Sequence, residues 1–231
     1  MESEVVKFPL RGEWVAYHTP ADKIPTHGTD VMGMRYAYDV LKIRWKEKGI
    51  KFYKSSTVSY WLKGVKLEDC MGYGETLFSP FSGTVIEVYS ELPERKWLHP
   101  FYDFILGHGK SLKFVFKGTP EKNSDLIPII GNHIILKMAD KEIYALCAHL
   151  KKGSLKVVAG DRVGADQAIG QIGHSGNSIA PHLHFQLMDR VDLINSHGIP
   201  CSFEEYQTFR SGVWEVVRGG IPEKLVPIQC T

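Results

Sequence analysis

Two histidines separated by a single leucine, His182 and His184, stand in the stretch SIAPHLHFQLMD. In a β-strand, residues i and i+2 share a face. A strand here places Leu183, Phe185 and Leu187 on one face and His182, His184 and Gln186 on the other. One face is built to pack, and the other presents two imidazoles. Neighbouring imidazoles can bind a metal ion or move protons, provided other elements bring partners to them.

A catalytic zinc takes three protein ligands from His, Asp, Glu or Cys and keeps a fourth position open. Three stretches offer such groups. PTHGTDVMGMRYAYDV holds His27, Asp30 and Asp39. Read as a strand, RYAYDV puts Tyr36 and Tyr38 on one face and Ala37 and Asp39 on the other. A carboxylate in so apolar and aromatic a run is costly to bury unless it is paired or bound to a cation. Asp30 lies in a turn flanked by Gly and Thr, where Asp commonly caps backbone groups. YALCAHL carries His149 near the end of an apolar strand, with Cys147 on the same strand face. The third stretch is the HLH pair itself.

The elements that must position these groups are short. Turn signals are closely spaced, and strand-like runs lie between them. SGTVIEVYS alternates Val85, Glu87 and Tyr89 with Thr84, Ile86 and Val88. GNHIILKMADKEIYALCAHL reads as a hairpin turning at residues 139–141. LKVVAGDRVGADQAIGQIG is punctuated by Gly160, Gly164 and Gly170. The expected fold is mainly β, an antiparallel sheet or sandwich forming a groove, with few short helices. YDVLKIRWKEKG mixes strand-like and helix-like character and is read as a place for a short helix. In CSFEEYQTFRSG the spacing of Ser202 and Glu205 is that of a capping box, which predicts a helix ending near Gly212.

The 231 residues allow one large domain, and the composition, 43% hydrophobic and 23% charged, is ordinary for a globular chain. A net charge of +2 provides no strong field toward nucleic acid or an anionic membrane. No stretch approaches the roughly 18 apolar residues of a membrane span. The start, MESEVVKFPLRGEW, has no basic region followed by an apolar core, so no secretory signal is read there. The expected location is the cytoplasm, or outside it if an export signal has been removed. Cys70, Cys147, Cys201 and Cys230 have no CxxC spacing and are expected to be inert, buried thiols.

The chain resembles the lysostaphin/LytM-type zinc metallopeptidases, which cut peptide bonds of bacterial peptidoglycan. The resemblance is carried by an early His followed by Asp, then LFSPFSGTVIEV, then GNHIILKMADKEIYALCAHL, then VVAGDRVGADQAIGQIGHSGNSIAPHLHFQL. These motifs occupy roughly residues 25–40 and 74–188 of what is read as a single domain over 1–231. An insertion is expected at 44–72, as one wall of a cleft, and a C-terminal extension at 189–231.

The resemblance implies a zinc ion bound by His27, Asp39 and His184. Asp39 is preferred over Asp30 because relatives with a lengthened loop place the Asp in a YAxD strand, which YAYD matches. It implies catalytic roles for His182, as general base and acid, and for His149, at the nucleophile or the oxyanion. No HExxH helix is present to supply a glutamate base. Asn177 and Ser178, before the HxH strand, are candidate contacts to the substrate backbone. The implied partner is a peptide or peptidoglycan strand. His133 and His174 fall within the matching motifs but take no role, and His18, His99, His108 and His197 read as surface or loop residues. Two other readings stand beside this one. The first is a relative with a degenerate site that binds and regulates a partner. The second is a biotinyl- or lipoyl-like carrier, which needs a modifiable lysine at a hairpin tip, whereas Lys137 reads as within a strand.

Overall fold

The computed structural model of the protein describes residues 3–47, 49–103 and 120–231. His108 lies outside the described residues. The fold is mainly β, as the spacing of turn signals predicts, with short helices such as Thr57–Lys63 and Ile127–Ile130. The strands are β1 (Glu4–Val6), β2 (Gly12–His18), β3 (Tyr38–Leu41), β4 (Val65–Lys66), β5 (Thr76–Phe78), β6 (Gly83–Tyr89), β7 (Trp97–Leu98) and β8 (Asn132–Met138). They continue as β9 (Tyr144–Leu150), β10 (Arg162–Val163), β11 (Ala168–Gln171), β12 (His182–Met188), β13 (Gly198–Ile199), β14 (Cys201–Arg210), β15 (Val213–Gly220) and β16 (Pro227–Cys230). One large sheet runs in the order β1-β14-β16-β2-β3-β12-β9-β8-β6-β10, with β13 against β12 and β15 against β14. It is open, ending at β1 and β10, and it is mixed, because β1 pairs with β14 in parallel. Two small sheets, β5–β11 and β4–β7, flank it. Among the described residues, no helix is long and apolar enough to cross a membrane.

The central strands β3, β12 and β9 divide their residues between two faces, with a break in the alternation at His149 near the end of β9. Tyr38, Val40, Leu183, Phe185, Leu187, Ala145 and Cys147 enter the main core beside Trp14, Ile134 and Phe203. Full burial of each large side chain contributes about 1.5–3 kcal/mol, which pins the register. The opposite face carries Asp39, His182, His184 and Gln186. Two smaller apolar clusters flank that face, one around Leu41, Phe52, Tyr60 and Leu98, the other around Leu126, Leu146, Met188 and Leu193. A cavity of about 550 Å3 lies over it.

Tertiary packing overrides several local signals. Residues 201–210 form β14 rather than the helix expected from Ser202 and Glu205. As a strand this segment pairs with β15 and β16 and buries Phe203 and Tyr206 against Phe8. One helix cap contributes about 1 kcal/mol, too little to compete with two ladders and that packing. YDVLKIRWKEKG likewise starts as β3, held between β2 and β12, instead of a helix. In β6 a register shift between Val85 and Glu87 breaks the expected alternation, so Val85 and Val88 both pack on the main core while Ile86 turns away. The hairpin β8–β9 turns at residues 139–143, and Lys137 lies in β8, paired with Glu142.

Candidate metal and catalytic site

β12 carries His182 and His184 onto the cavity face, and its register against β3 sets His184 directly opposite Asp39. His27 arrives from the loop before β3. That loop turns through left-handed Met32 and Gly33, and a Cβ on Gly33 would stand 2.7 Å from Nε2 of Gln186. The glycine therefore lets the loop close over the side chain next to His184.

Asp39 is the hub of the cluster. Its Oδ2 lies 3.0 Å from Nε2 of His27 and 2.7 Å from Nδ1 of His18. Its Oδ1 lies 2.9 Å from Nδ1 of His184 and 3.6 Å from Nε2 of His182. Burial by itself would raise the Asp39 carboxyl. The surrounding imidazoles of His182, His18 and His184, which stabilise the carboxylate whenever they are protonated, outweigh it and hold this group well below the usual carboxylate range.

Neighbouring groups fix the proton positions. The Thr26 hydroxyl donates to Met34 O at 3.0 Å, so its oxygen accepts from Nδ1–H of His27 at 2.9 Å. The Nε2 lone pair of His27 is then aimed at Asp39. Burial lowers the pKa of His27 despite the opposing pull of Asp39, which keeps the ring neutral. A nitrogen lone pair and a carboxylate oxygen 3.0 Å apart repel unless a cation lies between them. The donor set therefore suits a metal ion. His18, His27 and Asp39 each offer one ligand atom, and these atoms lie within 4.8 Å of one another.

His184 is anchored from behind. The Gln186 amide donates from Nε2 to Met32 O at 2.7 Å, so its Oε1 accepts from Nε2–H of His184 at 3.0 Å. Nδ1 is left as the atom offered toward Asp39, the arrangement that orients a metal-ligating imidazole. Burial would lower the His184 pKa, but the attraction of Asp39 for the protonated ring reverses the sign and raises it.

His182 and His149 form a second pair, their rings 4.6 Å apart. Ala180 O accepts from Nδ1–H of His182 at 2.7 Å, and Ser175 O accepts from Nδ1–H of His149 at 3.0 Å. Each ring thus keeps its lone pair on Nε2. Burial, reinforced by His182 and His184, pushes His149 well below the ordinary imidazole range. The expectation that Cys147 shares a face with His149 is overturned. His149 adopts φ 63°, the β8–β9 register shifts nearby, and its ring lines the cavity while Cys147 stays in the main core.

A hydrogen-bonded chain backs His182. Arg95 donates from Nη2 to Nε2 of His174 at 2.8 Å, and Nδ1–H of His174 donates to Ser178 Oγ at 3.1 Å. The Ser178 hydroxyl donates to Ala180 O at 2.7 Å, the same carbonyl that holds His182. Arg95 itself lies 3.2 Å from the buried carboxylate of Asp103.

The residues singled out from the sequence come together unequally. His27, Asp39, His149, His182, His184 and Asn177 all line the cavity. Ser178 is buried behind His182. Asp30 is exposed and pairs with Arg35 instead of joining the cluster. His197 is exposed beside Asp189, and His133 is buried between Tyr89 and Glu87. His18 is not the surface residue expected: it touches Asp39 and lines the cavity. A β2–β3 register shift after Ala16 sets His18, instead of Tyr17, opposite Asp39. The alternation of WVAYH gives no sign of this bulge.

Residues 99–196 match the model of peptidase family M23. The chain is 50% identical over 73 residues to the glycyl-glycine endopeptidase ALE-1 of Staphylococcus capitis, a match covering 32% of this chain and 20% of that protein. The matched stretch thus spans about a fifth of that relative's length. Among solved structures, the catalytic domain of lysostaphin from Staphylococcus simulans is 22% identical with a TM-score of 0.32, covering 63% of this chain and 88% of that one. The SpoIIQ–SpoIIIAH pore-forming complex is 14% identical with a TM-score of 0.42, covering 85% of this chain and 89% of that one.

Proposed function

We propose that this chain, whose residues 99–196 match the model of peptidase family M23, is a zinc-dependent endopeptidase acting on peptide bonds, with peptidoglycan stem or cross-link peptides as the substrate. The observation that carries this reading is the convergence on Asp39 of His27 Nε2 and His184 Nδ1, at 3.0 and 2.9 Å, beside the His149–His182 pair. In it, His27, Asp39 and His184 hold the zinc. When bound, zinc makes water acidic near pH 7 and polarises a carbonyl.

The chain's own groups supply the proton transfers. His182, its Nδ1–H tied to Ala180 O, presents Nε2 as the base that takes a proton from the attacking water and returns it to the leaving amine. His149 also presents a lone pair on Nε2, because Ser175 O holds its other proton. A neutral imidazole in that tautomer accepts a hydrogen bond from the attacking water and has no proton to offer an oxyanion. Asn177, on the cavity rim, is the candidate contact to the substrate backbone. Ser178 steadies His182 through their 3.1 Å contact.

Residues 44–72 are read as one wall of the cleft within a single domain. Ile50 and Phe52 line the cavity, and Phe52, Tyr53 and Tyr60 pack with Val15 and Leu41 of the main sheet. Digestion of purified peptidoglycan with zinc-loaded protein, followed by mass analysis, tests the reading: new termini at a single bond type support it. Intact peptidoglycan under a stoichiometric zinc load refutes it.

A further inference from the structure

The cavity over the imidazoles has an apolar side that proton transfer and metal binding do not use. β12 is flanked by β3 on one side and by β9 on the other. The register on the β9 side sets Ala148 opposite His184 and Leu146 opposite Gln186. Directly opposed residues of an antiparallel pair hold their Cβ atoms about 4.5–5.5 Å apart. An apolar wall therefore starts immediately beside the candidate zinc ligand. Leu146 and Ala148 continue without a break into Leu126, Leu193, Met32 and Ile130, which pack as one cluster and also line the cavity.

The polar groups facing this space are few, and the structure already employs most of them. Asp39 is surrounded by imidazoles, and Gln186 is bonded to His184 and Met32 O. Among the described residues, no Lys, Arg or Glu lines the cavity. A charged substrate side chain entering here would lose its water and find no partner. Glycine would leave the wall hydrated. A bulky aliphatic or aromatic side chain would dehydrate it, and the whole cavity, imidazole side included, holds about 550 Å3, room for such a side chain beside the metal-site face.

We infer that the wall formed by Leu126, Leu146, Ala148, Leu193, Met32 and Ile130 is a specificity pocket that takes a bulky apolar side chain next to the scissile bond, so that the preferred substrate is a peptide carrying a Leu- or Phe-like residue there and not an all-glycine or charged segment. The inference rests on the hydrolytic reading above and narrows its substrate. It also separates this chain from the glycyl-glycine bond in the name of its Staphylococcus capitis relative.

The test is a matched series of peptides that differ only at the residue beside the cleaved bond, with Leu, Phe, Gly, Lys or Glu there, incubated with the zinc-loaded full chain. The Leu and Phe peptides are expected to exceed the Gly peptide in kcat/KM by at least about tenfold, the low end of what one methylene commands in a fitted pocket. Met32→Gln and Ile130→Gln, both at half-buried positions, are expected to shrink that preference while zinc content stays unchanged. A Gly, Lys or Glu peptide cut as fast as the Leu peptide overturns the inference. If no peptide is cut, calorimetric titration of the same uncut peptides separates the two claims. Tighter binding of the Leu peptide than the Gly peptide by about tenfold leaves the pocket standing while the hydrolytic reading falls, and equal binding overturns the pocket.

Discussion

Arg95 donates to Nε2 of His174 at 2.8 Å, and since a guanidinium can only donate, this contact sets the His174 tautomer, while the Ala180 carbonyl, which can only accept, sets the direction of the bonds nearest His182. His174 must carry its proton on Nδ1, Ser178 must donate to Ala180 O, and that carbonyl is left to hold Nδ1–H of His182. Arg95 is thus a positioning residue for His182. Arg95→Leu and His174→Phe are expected to lower kcat by roughly 10–100-fold, the usual effect of groups that orient an active imidazole. KM should stay within a few-fold and zinc content should be unchanged, and Arg95→Lys should restore part of the rate. Steady-state kinetics and elemental analysis on the same preparations check this; loss of zinc in Arg95→Leu would contradict it.

Binding zinc and using it are assigned to different side chains. His27→Ala, Asp39→Asn and His184→Ala are expected to empty the site, whereas Asp30→Ala keeps full zinc because Asp30 pairs with Arg35 on the surface. His182→Ala and His149→Ala should retain zinc and lose at least about 10² in kcat. Their double variant should fall far short of the product of the single losses, because groups acting as one unit are not additive. Zinc loss from His182→Ala would refute this division.

His18 steadies Asp39 from the side opposite His184, with Nδ1 at 2.7 Å from Oδ2. Removing it leaves that oxygen with one fewer partner and more freedom to rotate. His18→Ala is expected to weaken zinc affinity about 10–100-fold, as measured by competition with a chelating dye. An unchanged affinity would return His18 to the status of a bystander.

All four cysteines are buried and free, and burial pushes the thiols of Cys70, Cys147, Cys201 and Cys230 from the usual 9.0 up to about 12. At pH 8 this lowers the thiolate fraction roughly a thousandfold, and the thiolate is the reactive form. Native protein should therefore show almost no reaction with Ellman's reagent over an hour, and denatured protein should release four equivalents. Fast reaction of even one thiol in the native state would show that its surroundings open to solvent.

The alternation in HLHFQLM was readable because a strand has a period of two, and only that reading puts Leu183, Phe185 and Leu187 together in a core. The same rule made Asp39 a buried carboxylate that had to be paired or bound to a cation before any partner was known. Motif order supplied His27 and His149. The helix expected at Ser202 failed because a cap is a local signal, while the pairing of β14 with β15 and β16 is made by residues distant in the chain. His18 and the orientation of His149 were decided by tertiary structure alone. Each depends on a register shift, and a bulge moves one residue onto the opposite face without any mark in the alternation of its own strand. The sequence thus determined which side chains could form a metal and proton-transfer site. Only the pairing of β2 with β3, and of β8 with β9, decided which of them face it.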